Sequence, residues 1–190
     1  EFAHSIYIYN SNNNRIFHSG YSKISRYTPL SLFPDTDIPR LITGKINYPV
    51  LKPIPRKIPV PQDNNEANQV FINGYSLFFY ESPGKDDRID SLVVINLSAP
   101  WLRDSIEQVD TSRENMTHII DTQGSCILST VNYPLFMDMT QFPYVATIIE
   151  TQNTAGSFRE TVEGKDSFVI FEYKPEYDWY FIRIVPYYEI

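Results

Sequence analysis

Residues 91–106 read SLVVINLSAPWLRDSI. Leu92, Val93, Val94, Ile95 and Leu97 make an apolar, largely β-branched run about as long as one strand. Behind it stand Ser98, which can cap a helix, and Pro100, which suits a first helical turn; Trp101, Leu102, Ser105 and Ile106 then fall three to four apart. A strand therefore runs directly into a helix. Whether that helix ends a domain or sits inside one organises the rest of the chain.

To the N-terminal side lies a hairpin pattern: SIYIYN, the polar turn SNNN, then RIFHS, where Ile6, Ile8 and Ile16 alternate with Tyr7, Tyr9 and Phe17. To the C-terminal side THIID, TQG and SCILST repeat it. Asn10 and Asp121 end the first strand of each, and Ser19 and Ser129 close the second. Long strand runs follow both: QVFINGYSLFFYE with SLVVINLS in the first half; SFRETV, SFVIFEY and WYFIRIV in the second. The spacing is that of one small domain, too long for a solenoid repeat. The pattern predicts two copies of one α+β plan, residues 1–110 and 111–190, with APWLRDSIEQVD as the joining helix and Trp101 buried at the joint.

The middle of the first half carries Pro29, Pro34, Pro39, Pro49, Pro53, Pro55, Pro59 and Pro61. Proline fixes φ and lacks a donor, so long helices and central strands are excluded there. In the second half Pro143 opens PYVATIIETQ, a short helix ending before Asn153. ESPGKDD and VEGKD read as turns.

The chain has 190 residues, 42% of them hydrophobic, with 14 Tyr and 12 Phe against 7 Gly, which argues for an ordered, strand-rich body. A net charge of -7 and a pI near 4.9 lack the basic footprint that phosphate neutralisation requires. Nucleic acid and anionic membrane surfaces are poor partners. No run approaches a membrane span. The abrupt opening at Glu1 suggests a piece of a longer protein.

SLVVINLSAPWLRDSI, MTHIIDTQGSCILST and DWYFIRIVPYY together resemble the extracellular double Cache sensor region of bacterial membrane receptors. The closest likeness is to sensors fused to AraC-type transcription regulators or histidine kinases in Gram-positive bacteria. The resemblance spans almost the whole chain and is strongest over 92–130 and 156–188. It implies two tandem PAS-like domains, each an antiparallel sheet flanked by helices, the first distal from the membrane and the second proximal. It also implies an extracellular location, a small-molecule ligand, no catalysis and no cofactor. Membrane attachment would run only through flanking spans, with a homodimer in the full-length receptor. A long helix preceding the first hairpin in such receptors is not in this sequence, so apolar strands of the first sheet are expected to be exposed. The family's amine-ligand motif, an Arg and a Tyr-Trp pair in the distal domain, has no counterpart, and the ligand class is not carried over.

Chemistry-bearing residues are sparse. His4, His18 and His118 lack the spacing of a local metal pair, so no metal site is expected. Cys126 falls in an apolar strand, where an inert thiol is expected. Asp86-Asp87, Asp35 with Asp37, and Glu160 with Glu163 read as solvated charge. Asn96 and Asn115 match the glycosylation sequon by chance. No phosphate loop, nucleophile elbow or H-E-x-x-H appears. Within QVFINGYSLFFYE the aromatic residues Tyr75, Phe78, Phe79 and Tyr80 read as core, whereas Asn73 and Gly74 interrupt the apolar run, as either a pocket or a β-bulge. The candidate ligand-binding residues are Asn73, Tyr75, Phe71 and Tyr80. Two other classes compete with a sensor: a secreted carbohydrate-binding module using exposed Tyr and Trp, and a hydrolase with an unfamiliar site.

Overall fold

The computed structural model describes residues 3–19, 25–43, 53–60, 70–80, 91–109 and 114–189. The chain divides into two units, Glu1–Trp101 and Leu102–Ile190.

The first unit is built on a six-stranded antiparallel sheet. Its strands are β1 (Ala3–Asn10), β2 (Arg15–Ser19), β3 (Tyr27–Pro29), β4 (Ile54–Val60), β5 (Val70–Tyr80) and β6 (Ser91–Ser98), in the order β3-β2-β1-β6-β5-β4. The alternation read from the sequence decides which side is core. Tyr7, Tyr9, Ile16, Phe78, Leu92 and Val94 point inward and meet Leu30 and Phe33, together with Ile38 and Ile42 of helix α1 (Asp37–Thr43). Tyr7 and Phe33 pack edge to face at 4.9 Å. The opposite face keeps Ile6, Ile8, Phe17, Tyr27, Phe71 and Phe79 exposed. These are bulky apolar groups on neighbouring strands, more than scattered surface hydrophobes.

Proline behaves as its chemistry demands. β4, with Pro55 and Pro59, lies at the sheet edge, and the two prolines are four residues apart, so both missing donors fall on one side while the pairing to β5 continues from Ile54 to Val60. Pro39 stands in the first turn of α1.

The second unit holds a five-stranded antiparallel sheet: β7 (Met116–Asp121), β8 (Cys126–Ser129), β9 (Ala155–Val162), β10 (Lys165–Lys174) and β11 (Trp179–Pro186), in the order β8-β7-β11-β10-β9. With β3 set aside, the first sheet has the same order, β2-β1-β6-β5-β4. The hairpins match in detail. Asn10 Oδ1 accepts from the backbone of Asn12 at 3.0 Å, and Asp121 Oδ1 from that of Gln123 at 2.9 Å, so each strand ends in the same side-chain turn. Helix α3 (Pro143–Thr151) lays Tyr144, Val145 and Ile148 on the inner face, and Gln152 ends it with φ 51°. VEGKD is a tight hairpin with Glu163 and Gly164 at φ 51° and 78°. ESPGKDD lies outside the described residues.

The joining helix α2 (Ala99–Val109) follows β6 directly, with the Trp101 N–H donating to Ser98 Oγ at 3.4 Å. The placement of Trp101 in the interior does not hold. It is 39% exposed, because it shares the solvent face of α2 with Asp104 and Gln108, three and seven residues on. Trp179, on β11 beside the core strand β10, is only 7% exposed.

Candidate functional site

A row of polar side chains crosses the inner face of the first sheet. Ser5 of β1 stands opposite Asn96 of β6, Asn96 opposite Ser76 of β5, and Arg56 reaches in from β4. Asp35, just before α1, closes the row from above. Each is an inward position on its strand or loop, in line with the apolar core residues Tyr7, Val94 and Phe78, and all five are buried.

The bonds in this row account for nearly every donor and acceptor. Arg56 donates from Nη1 and Nη2 to the two carboxylate oxygens of Asp35 at 2.7 and 2.5 Å, a bidentate fork. Its Nε donates to Ser76 Oγ at 2.6 Å, and Nη2 also reaches Asn96 Oδ1 at 3.3 Å. The Ser76 hydroxyl donates to Asn96 Oδ1 at 2.5 Å, and Asn96 Nδ2 donates to Ser5 Oγ at 2.8 Å. Asp37, half exposed, adds a second carboxylate 3.8 Å from Nη1. Burial disfavours the guanidinium charge, but the bond and charge of Asp35 outweigh it, and the Arg56 pKa is raised. A cation and an anion, flanked by a hydroxyl and an amide, are thus held where water is excluded.

The sequence-predicted residues fall elsewhere. Odd-numbered positions of β5 face away from the core, so Asn73 is exposed and Phe71 is 50% exposed, while Tyr75 is buried at 2%. Tyr80 ends β5. The structure therefore puts Asn73, Phe71 and Tyr75 along one side of the strand but leaves the Asn73 amide in solvent. Gly74 is neither a bulge nor a pocket. Pairing runs unbroken through it to Arg56 and Ser98, and a Cβ there would lie 2.5 Å from Ile58 Cδ1 and from the Leu97 carbonyl oxygen. Close approach explains the glycine.

One other sequence reading changes. Asp35 is not solvated charge but the buried partner of Arg56. Asn96 is wholly buried and bonded, which accounts for a polar residue in an apolar strand. Cys126 is buried, its thiol pushed up to about 11 by desolvation, as an inert core residue should be. Among the described residues no group of His, Cys, Asp or Glu is arranged to hold a metal ion.

The second unit has a cleft of about 690 Å³ lined by Ile170, Phe181 and Arg183 of its sheet and by Ser105 and Ile106 of α2.

No family model matches the sequence, and no curated protein matches it. Solved structures do match its fold. The periplasmic sensory domain of the Campylobacter jejuni chemoreceptor Tlp1 aligns with a TM-score of 0.58 at 10% identity, over 98% of this chain and 73% of that one. The ligand binding domain of the Pseudomonas aeruginosa amino acid chemoreceptor PctB, in complex with L-Gln, aligns at 0.59 and 10%, over 99% and 70%. The extracellular domain of a protein described as a histidine kinase aligns at 0.53 and 8%, over 95% and 69%. At these identities the likeness is one of fold: the chain has the sheet-rich architecture of sensory domains that work outside the cytoplasm. No helix among the described residues is long and apolar enough to cross a membrane.

Proposed function

We propose that this chain is the extracellular sensory region of a membrane signalling receptor, non-catalytic, with two tandem PAS-like units of the Cache type. The shared strand order of the two sheets and the fold likeness to chemoreceptor and kinase sensors support this reading. The first unit takes the ligand, and the observation that carries this is the buried row Arg56, Asp35, Ser76, Asn96 and Ser5. A guanidinium fork fits a carboxylate, and a carboxylate fits an ammonium, so the ligand class that matches both is a zwitterion such as a free amino acid. A structural neighbour in complex with L-Gln agrees with that class. Binding exchanges the Arg56–Asp35 pair for two ligand contacts and moves the segment carrying Asp35. Ligand shifts the equilibrium only by its unequal affinity for the two arrangements. The output module is a histidine kinase or an AraC-type regulator, and the receptor is a dimer.

The exposed apolar face of the first sheet, with Ile6, Ile8, Phe17 and Phe79, is covered in the full receptor by a further helix. Asn73, Tyr75 and Phe71, on the face of β5 opposite Arg56, together with Tyr80 at the end of that strand, remain the competing binding set.

A thermal-shift screen of amino acids, simple carboxylates, amines and sugars tests the assignment. Ligand at a hundred times its dissociation constant should stabilise by about 2.7 kcal/mol. Stabilisation by amino acids, with none from molecules carrying only one of the two charges, supports the zwitterion site. The exposed ring of Trp101 favours a second reading, a carbohydrate-binding module. A sugar hit abolished by Trp101→Ala would establish that reading instead.

A further inference from the structure

His118 lies on the inner face of the second sheet with no solvent exposure. Its Nδ1 is 3.0 Å from Ser129 Oγ, which already accepts from the Val131 N–H at 3.1 Å. Its Nε2 is buried and has no hydrogen-bond partner among the described residues. Around the ring stand aromatic side chains in near-parallel contact: His118 with Tyr133 at 5.7 Å, Tyr133 with Phe142 at 5.4 Å, Phe142 with Tyr144 at 5.7 Å, and Tyr144 back to His118 at 6.1 Å. Tyr133 and Phe142 belong to the segment between β8 and α3, so the imidazole is roofed by a loop.

Among the described residues no charged group acts on this imidazole. β8 offers the Ser129 hydroxyl, the roof Tyr133 and Phe142, α3 Tyr144, and β11 Ile182 as the residue opposite. Burial pushes the Tyr133 and Tyr144 phenols up, and the Cys126 thiol of the same core, so all three stay neutral through the acid range. The carboxylate in the neighbourhood, Glu163, bonds the Tyr133 hydroxyl at 3.4 Å instead of the imidazole.

We propose that His118 is an acid-responsive element of the second unit: one proton on its ring puts a cation with two N–H donors where there is one acceptor, and the Tyr133–Phe142 roof must lift to hydrate it. A cation–π attraction to the phenol rings offsets only part of the desolvation of a buried cation. The buried imidazole is pushed down to about 4, against about 6.5 in an unfolded chain. The closed state is therefore fully favoured above pH 6.5, and its advantage is lost as pH falls from 6.5 towards 4. This response is independent of any ligand in the first unit.

The test is a histidine NMR titration of the 190-residue chain together with melting curves from pH 7.5 to 4. The His118 ring should stay neutral until about pH 4, and the melting temperature of the unit containing Trp179 should fall by about 10 °C between pH 7 and pH 4.5. His118→Gln should flatten that fall, whereas His18→Gln, in the first unit, should not. A His118 midpoint near 6.5 in the wild-type titration would overturn the proposal even where His118→Gln does not fold. So would an undiminished acid response in a folded His118→Gln protein.

Discussion

Arg56 on β4 and Asp35 ahead of α1 meet through two parallel hydrogen bonds, with side chains 6% and 1% exposed. Two opposite charges this deep stabilise little by their attraction, because each has lost its hydration; removing one partner leaves the other uncompensated. Arg56→Met or Asp35→Asn should therefore each cost about 3–5 kcal/mol in urea denaturation of the first unit. Arg56→Met with Asp35→Leu should recover much of that loss. Equal destabilisation by the single and double variants would show that the pair is not coupled.

Gly74 gives a second prediction. A Cβ on β5 would press on the Leu97 carbonyl of β6 as well as on Ile58. The side chain can move but the backbone oxygen cannot do so without disturbing the ladder, so Gly74→Ala should destabilise by roughly 1–3 kcal/mol. A neutral result in a thermal melt would mean that the strands have more room than the geometry shows.

The two tryptophans should separate in quenching. Acrylamide should reach Trp101 and largely spare Trp179, and Trp101→Ala should change stability by less than about 1 kcal/mol. Protection of Trp101 with exposure of Trp179 would reverse the placement of both.

Covering the apolar face of the first sheet should stabilise it. A chain extended upstream of Glu1 by the preceding receptor residues should melt higher than the 190-residue chain. An unchanged melting temperature would count against a covering helix.

The hairpins were legible because their information is local. Asn10 and Asp121 make the turns their side chains favour, Glu163-Gly164 supplies the positive φ values of a tight hairpin, and Ser98 with Pro100 opens α2. The site was not. Asn96 lies 91 residues from its partner Ser5, and Arg56 lies 21 from Asp35. No local pattern announces such a meeting, and Asp35 beside Asp37 in a proline-rich stretch looks like ordinary surface charge. The available signal was periodicity: Ser5, Ser76 and Asn96 sit at inward positions of strands whose other inward residues are apolar. Asn73 drew attention for breaking an apolar run, but its position faces out. Trp101 was misplaced because aromatic size argues for burial, while the spacing to Asp104 and Gln108 argued for the solvent face.

On the proposed reading, the inner face of the first sheet binds a zwitterion between Arg56 and Asp35. Calorimetric titration of the best amino acid from the screen tests it most directly, into wild type, Arg56→Met with Asp35→Leu, and Asn73→Ala with Tyr75→Phe. The first double variant, folded by its melting curve, should lose binding by at least about a hundredfold, equivalent to roughly 2.7 kcal/mol, while the second should bind within a few-fold of wild type. Retained affinity in the Arg56–Asp35 variant, with loss in the Asn73–Tyr75 variant, would contradict it and move the site to the opposite face of the sheet.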